Sequence, residues 1–89
     1  MEFGWDEAKR KSNLAKHGFD FADVFPAFFD AKKVIVEDNR INYGEMRYNM
    51  LAKFSGRICH ITFTERNIVT WLISARKANQ REQKRYDKL

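Results

Sequence analysis

Six basic side chains crowd the last fourteen residues of this chain: Arg76, Lys77, Arg81, Lys84, Arg85 and Lys88, against Glu82 and Asp87 alone. The segment carries a net +4, out of +5 for all 89 residues. A basic block of this kind draws polyanions by releasing their counterions, with little sequence preference of its own. Charge alone therefore points to a nucleic acid or an acidic protein partner, or to a plainly solvated helix. Other reactive groups are scarce. Two histidines and one cysteine are too few to expect a structural zinc site, and no cofactor is called for. Cys59 has no partner for an internal disulfide, which fits a reducing cytosol.

These side chains must be held by a small framework. The length implies one domain, residues 1–89, with one thin core and no room for a large cofactor fold. No apolar run approaches the roughly 18–20 residues a membrane span needs. The N-terminus, MEFGWDEAKRK, carries charge where a secretion signal would be apolar.

Residues 2–5 read as an edge strand. Asp6 is a suitable N-cap for a helix reaching about His17, and Gly18 stops it. A second helix is expected from Asp20 to about Phe29. Phe21, Val24, Phe25, Phe28 and Phe29 recur there at helical spacing, with Pro26 inside the pattern. Val34–Val36 makes a short strand, and residues 37–44 are turn-prone. Three further strands follow, at 45–54, 57–64 and 68–75. Ser55-Gly56 signals a two-residue hairpin, and Glu65-Arg66-Asn67 a three-residue turn with Asn67 left-handed. The tail is expected to be helical from about Arg76. In the resulting register one sheet face collects Tyr48, Met50, Ala52, Cys59, Ile61, Phe63, Val69, Trp71 and Ile73, the layer that helices cover. The other collects Arg47, Asn49, Leu51, His60, Thr62, Ser74 and Arg76 among its members. It is either a working surface or an ordinary solvated one.

The chain resembles BrnT, the ribonuclease toxin of a bacterial type II toxin–antitoxin pair. Three blocks carry the likeness: FGWDEAKRKSNLAKHGFDF (residues 3–21), DNRINYGEMRY (38–48), and SGRICHITFTERN with LISARKANQREQKRY (55–67 and 72–86). It implies an α+β, RelE-like fold: a small antiparallel sheet with two N-terminal helices packed on one face and a C-terminal helix. It also implies metal-independent endoribonuclease activity that inhibits translation in the bacterial cytoplasm. The implied partner is a BrnA-like ribbon-helix-helix antitoxin, through which alone operator DNA would be reached. The chain departs from the family pattern at Trp71, often an arginine, at Ala52, usually glycine, and at His60, usually apolar.

Metal-free RNA cleavage uses the substrate's own 2′-hydroxyl as nucleophile. It needs a base, an acid and positive charge for the phosphorane-like transition state. Arginine suits the last role because its fork matches phosphate oxygens and stays charged. Arg76, expected at a strand–helix junction, is the first choice, with Arg47 as second cation. His17, Glu45 and Tyr86 are the candidate acid and base, unseparated by sequence. Arg57, Arg40, Lys16, Lys77, Lys53 and Arg81 are read as RNA-contacting charges. Each has a plainer alternative, such as an Arg76–Glu82 or Arg47–Glu45 ion pair. His60 is set aside because the likeness does not support it. A non-catalytic module binding nucleic acid or an antitoxin on the same scaffold is the competing expectation.

Overall fold

The computed structural model describes residues 1–40 and 44–88. The middle of the expected turn at 37–44, and of the block DNRINYGEMRY, lies outside the described residues. The elements are β1 (Glu2–Trp5), α1 (Glu7–His17), β2 (Val34–Glu37), β3 (Arg47–Phe54), β4 (Arg57–Arg66), β5 (Val69–Lys77) and α2 (Gln80–Asp87). The five strands form one sheet in the order β1-β5-β4-β3-β2. The fold is α+β, as expected, but the sheet is mixed: β1 runs parallel to β5 while the other pairs are antiparallel.

Helix α1 begins and ends where its caps dictate. The Asp6 side chain accepts from Lys9 N, and Gly18 takes the left-handed conformation at φ 76°. The second expected helix does not form. Residues 20–29 make two short 3-10 turns, Phe21–Asp23 and Phe25–Phe29. Pro26 removes a backbone donor and disfavours the helical conformation at Phe25, so the α-helical ladder cannot run through. The aromatic residues pack nonetheless. Phe21, Val24, Ala27 and Phe28 join Met50, Ala52, Cys59, Ile61, Phe63, Leu72 and Ala75 in the main core. Its rings pack in series: Phe3–Phe28 tilted, Phe28–Phe63 edge-on and Tyr48–Phe63 stacked, with centroids 5.1, 5.2 and 5.4 Å apart.

The β3–β4 hairpin has the expected register throughout, from Phe54 opposite Arg57 to Tyr48 opposite Phe63. The β4–β5 hairpin does not. Its loop holds two residues, Asn67 and Ile68, since Arg66 pairs with Val69; Asn67 is left-handed, as expected, at φ 56°. A bulge follows: Phe63 pairs with Leu72 but Thr62 with Ser74, so Ile73 has no opposite residue. Before the bulge, Leu72 faces the core and Trp71 the other side, reversing the expectation. After it, alternation shifts by one and Arg76 comes opposite His60 on the face away from the aromatic core. Without the extra residue Arg76 would share the core side with Cys59.

Trp71 lies across β1, where Gly4 is its neighbour. A Cβ on Gly4 would come 2.8 Å from Trp71 Cε3, so the ring occupies the space that only glycine leaves. The Arg66 guanidinium also lies over the ring, 4.5 Å from its centroid.

Strand β5 runs through Lys77, so the tail helix starts later than expected and Arg76 is a strand residue. Helix α2 is closed by a capping box: Glu82 N donates to Asn79 Oδ1 at 2.8 Å, and Asn79 N to Glu82 Oε1 at 2.9 Å. Its Tyr86, with Ala78 just before the helix, packs on Leu51 and Ile58, on the sheet face opposite the aromatic core.

Candidate RNA-cleaving site

The outer face of β2–β5 and the first turn of α2 enclose a cleft of about 280 Å³. Val34, Val36, Asn49 and Leu51 line one side; His60, Arg76, Glu82, Arg85 and Arg40 line the rest. Alternation along each strand brings them together: Val36 pairs with Asn49, Val34 with Leu51, Leu51 with His60, and His60 with Arg76.

Arg76 holds Glu82 in a two-toothed ion pair, Nη1 to Oε1 at 2.8 Å and Nη2 to Oε2 at 3.0 Å. A further bond runs from Nη1 to the Lys77 carbonyl at 3.2 Å. A guanidinium has five N–H donors, so among the described residues Nε–H and one Nη2 proton are left for another acceptor. The Arg76 contact keeps the Glu82 carboxyl below its usual range against the opposing effect of burial. Glu82 also approaches His60, with Oε2 3.8 Å from Nε2.

Beside the cleft lies a second network. Asp38 is 2% exposed and pairs with Arg40 at 2.9 Å. Asn49 accepts from the Thr62 hydroxyl at 2.8 Å. The Arg40 bonds, foremost, hold the Asp38 carboxyl well below its usual range, and burial opposes them. A carboxylate depressed in the folded state stabilises the fold above its unfolded pKa, about 3.9, and that stability is lost as pH falls toward the folded value. Acid titration of the wild type should therefore show stability falling below about pH 4, and Asp38→Asn should flatten that fall. An unchanged acid profile in Asp38→Asn would contradict this role.

The candidates separate into groups. Arg47 and Glu45 lie at the far end of the same face, 3.6 Å apart, and Glu45 also pairs with Arg66 at 3.3 Å. His17 is not in the cleft. It ends α1 and borders a shallow depression with Lys9, Lys16 and Ser74. Tyr86 is 6% exposed and donates its hydroxyl to Asp30 Oδ2 at 2.6 Å. Burial, then this bond, pushes its pKa up to about 12, so it serves as a pin between α2 and the segment before β2. Arg57 turns to the core side and covers the Phe19 ring at 4.7 Å. Lys53 and Lys77 are exposed at strand ends. Arg81 joins Gln80, Lys84, Arg85 and Lys88 around an open groove on α2, and Arg85 belongs to both groove and cleft. Sequence reasoning set His60 aside as a weaker candidate and gave Glu82 no role beyond an ion-pair partner, yet both line the cleft. The available signal was the pairing of His60 with a late β5 residue, hidden by the bulge.

The chain is a small α+β fold with an arginine-lined cleft where the sheet face meets the basic helix α2. A sequence profile for "ribonuclease toxin, BrnT, of type II toxin–antitoxin system" matches residues 5–82, and the chain belongs to that family. Membership makes the chain a ribonuclease toxin, with RNA as target and an antitoxin as partner. No match was found among curated protein sequences.

Proposed function

We propose that the chain acts as a single RelE-like domain that cuts RNA without a metal ion, through 2′-hydroxyl attack, and so inhibits translation in the bacterial cytoplasm. Arg76 is the phosphate cation of this reading. The observation that carries it is the position of Arg76 in the cleft beside Arg85 and Arg40, with two guanidinium protons unspent among the described residues. Metal independence is supported by the arginines, which supply the positive charge the transition state needs. Arg47 and Glu45 stand where a strand running along the sheet from Arg76 would pass next, and Lys16 and His17 flank Ser74 at the other edge. A BrnA-like ribbon-helix-helix antitoxin silences the toxin by covering this face and carries operator-DNA binding itself.

Induced expression should arrest growth. Co-expression of a ribbon-helix-helix protein from the neighbouring reading frame should restore it and co-purify with the toxin. Unimpaired growth, or a neighbouring frame encoding nothing of the kind, would contradict the respective half of the reading.

The groove of α2 supplies electrostatic affinity. Neutralising Arg81, Lys84 or Lys88 one at a time should weaken RNA binding at low salt. Each loss should lower the slope of log K against log salt by about 0.7 on a single strand. Anisotropy titrations between low and moderate salt measure this, and unchanged slopes would remove α2 from the RNA path.

The Arg76–Glu82 pair favours a second reading, a non-catalytic module binding nucleic acid or the antitoxin, because it already occupies part of the guanidinium. The two separate on one point: the module binds RNA and leaves it intact.

A further inference from the structure

His60 lines the Arg76 cleft with 14% of its side chain exposed. A polar side chain this buried ordinarily has hydrogen-bond partners. Among the described residues Nδ1 has none, and Nε2 stands 3.8 Å from Glu82 Oε2, beyond hydrogen-bond range. An imidazole with no hydrogen bond to another described residue is poorly explained as a structural post. It fits a group that acquires its partner when something enters the cleft.

Its neighbours define its charge state. Arg76 faces it from β5, Glu82 and Arg85 from α2, and Arg40 from the stretch after β2, while β2 and β3 present only Val34, Val36, Asn49 and Leu51. Burial, foremost, and then the Arg76 charge hold its pKa below the ordinary histidine value, and Glu82 pulls the other way. The imidazole is therefore neutral at pH 7, with a lone pair available to take a proton. A perturbed titratable group in a cleft beside a phosphate-binding cation is the arrangement of acid–base catalysis.

We propose that His60 is the proton acceptor of this cleft, taking the 2′-hydroxyl proton of an RNA strand whose scissile phosphate Arg76 holds; the assignment rests on the ribonuclease reading above. The O2′–P bond forms as the P–O5′ bond breaks, and the 2′-hydroxyl proton passes to His60 Nε2. The leaving O5′ takes a proton from water. The hydroxide so formed recovers the proton from the imidazolium, which Glu82 stabilises in the interval. The products are a 2′,3′-cyclic phosphate and a 5′-hydroxyl.

The test is kcat/KM for cleavage of a short single-stranded RNA from pH 4.5 to 8, with wild type, His60→Gln and His60→Leu. Wild type should gain activity with rising pH along a limb centred below 6.5 and then level off. Both variants should lose roughly 10²–10⁴-fold and lack the limb. Both should bind a non-cleavable all-deoxy strand as wild type does, which separates proton transfer from a structural role. A wild-type profile flat below pH 6.5 overturns the proposal without any variant, as does either variant retaining wild-type activity and limb. A wild type that leaves RNA intact overturns the ribonuclease reading, and this assignment with it.

Discussion

Arg76→Ala should reduce RNA cleavage by roughly 10²–10³-fold, the loss typical when one preorganised donor to a developing oxyanion is removed. The residue earns this through placement. The bulge at Ile73 turns it outward, opposite His60, and Glu82 fixes its fork in the cleft. The fold should survive, because Glu82 keeps its bond from Asn79 N and α2 keeps its Tyr86 and Ala78 packing. The half-exposed ion pair itself contributes about 1 kcal/mol or less. Arg76→Lys restores the charge and not the fork, so it should recover only part of the rate. Single-turnover cleavage alongside thermal melting checks the prediction. Full activity in a folded Arg76→Ala protein would remove Arg76 from the chemistry.

Asn13→Ala should destabilise the protein by about 2–4 kcal/mol, for a reason far from the cleft yet tied to it. Strand β1 ends opposite Leu72, so β5 beyond that point has no strand on its outer edge. The buried Asn13 amide takes the strand's place. Its Nδ2 donates to Ala75 O at 2.8 Å and to Phe19 O at 2.9 Å, and Ala75 N donates to its Oδ1 at 3.1 Å. Truncation leaves three backbone groups without partners in a dry site. For a domain this small the midpoint of melting should drop by roughly 10–20 °C. Asn13→Asp should be at least as damaging, since a carboxylate would face two carbonyl oxygens. A melting point within a few degrees of wild type in Asn13→Ala would contradict the account. Because Ala75 precedes Arg76, the same variant should also loosen the strand that carries Arg76.

Most of this architecture was legible where local rules act alone. Asp6 and Gly18 bound α1 as read, and the Ser55-Gly56 hairpin fixed the β3–β4 register. Two misreadings share a cause, in that an element's backbone answered to something outside its own periodicity. The aromatic spacing of residues 21–29 is helical, but Pro26 breaks the ladder and leaves 3-10 turns that still bury the rings. The alternation of β5 is regular, but one bulged residue reverses it halfway. The β4–β5 loop, one residue shorter than expected, turns Trp71 off the core and onto Gly4, and the bulge restores the expected facing from Ser74 onward. The parallel pairing of β1 with β5 has no local signature. The site was half visible. Arg76 lies on the expected sheet face, whereas His60, set aside on the sequence, gains weight as a candidate because the observed register sets it against Arg76 and Glu82.

The most direct test is to incubate purified wild-type protein and Arg76→Ala with single-stranded RNA in the presence of a metal chelator, and to map the ends of any products. The account predicts cutting by the wild type that persists in chelator, leaves 2′,3′-cyclic phosphate and 5′-hydroxyl ends, and falls at least a hundredfold with Arg76→Ala. RNA left intact by the wild type, or cut equally by both proteins, would contradict it.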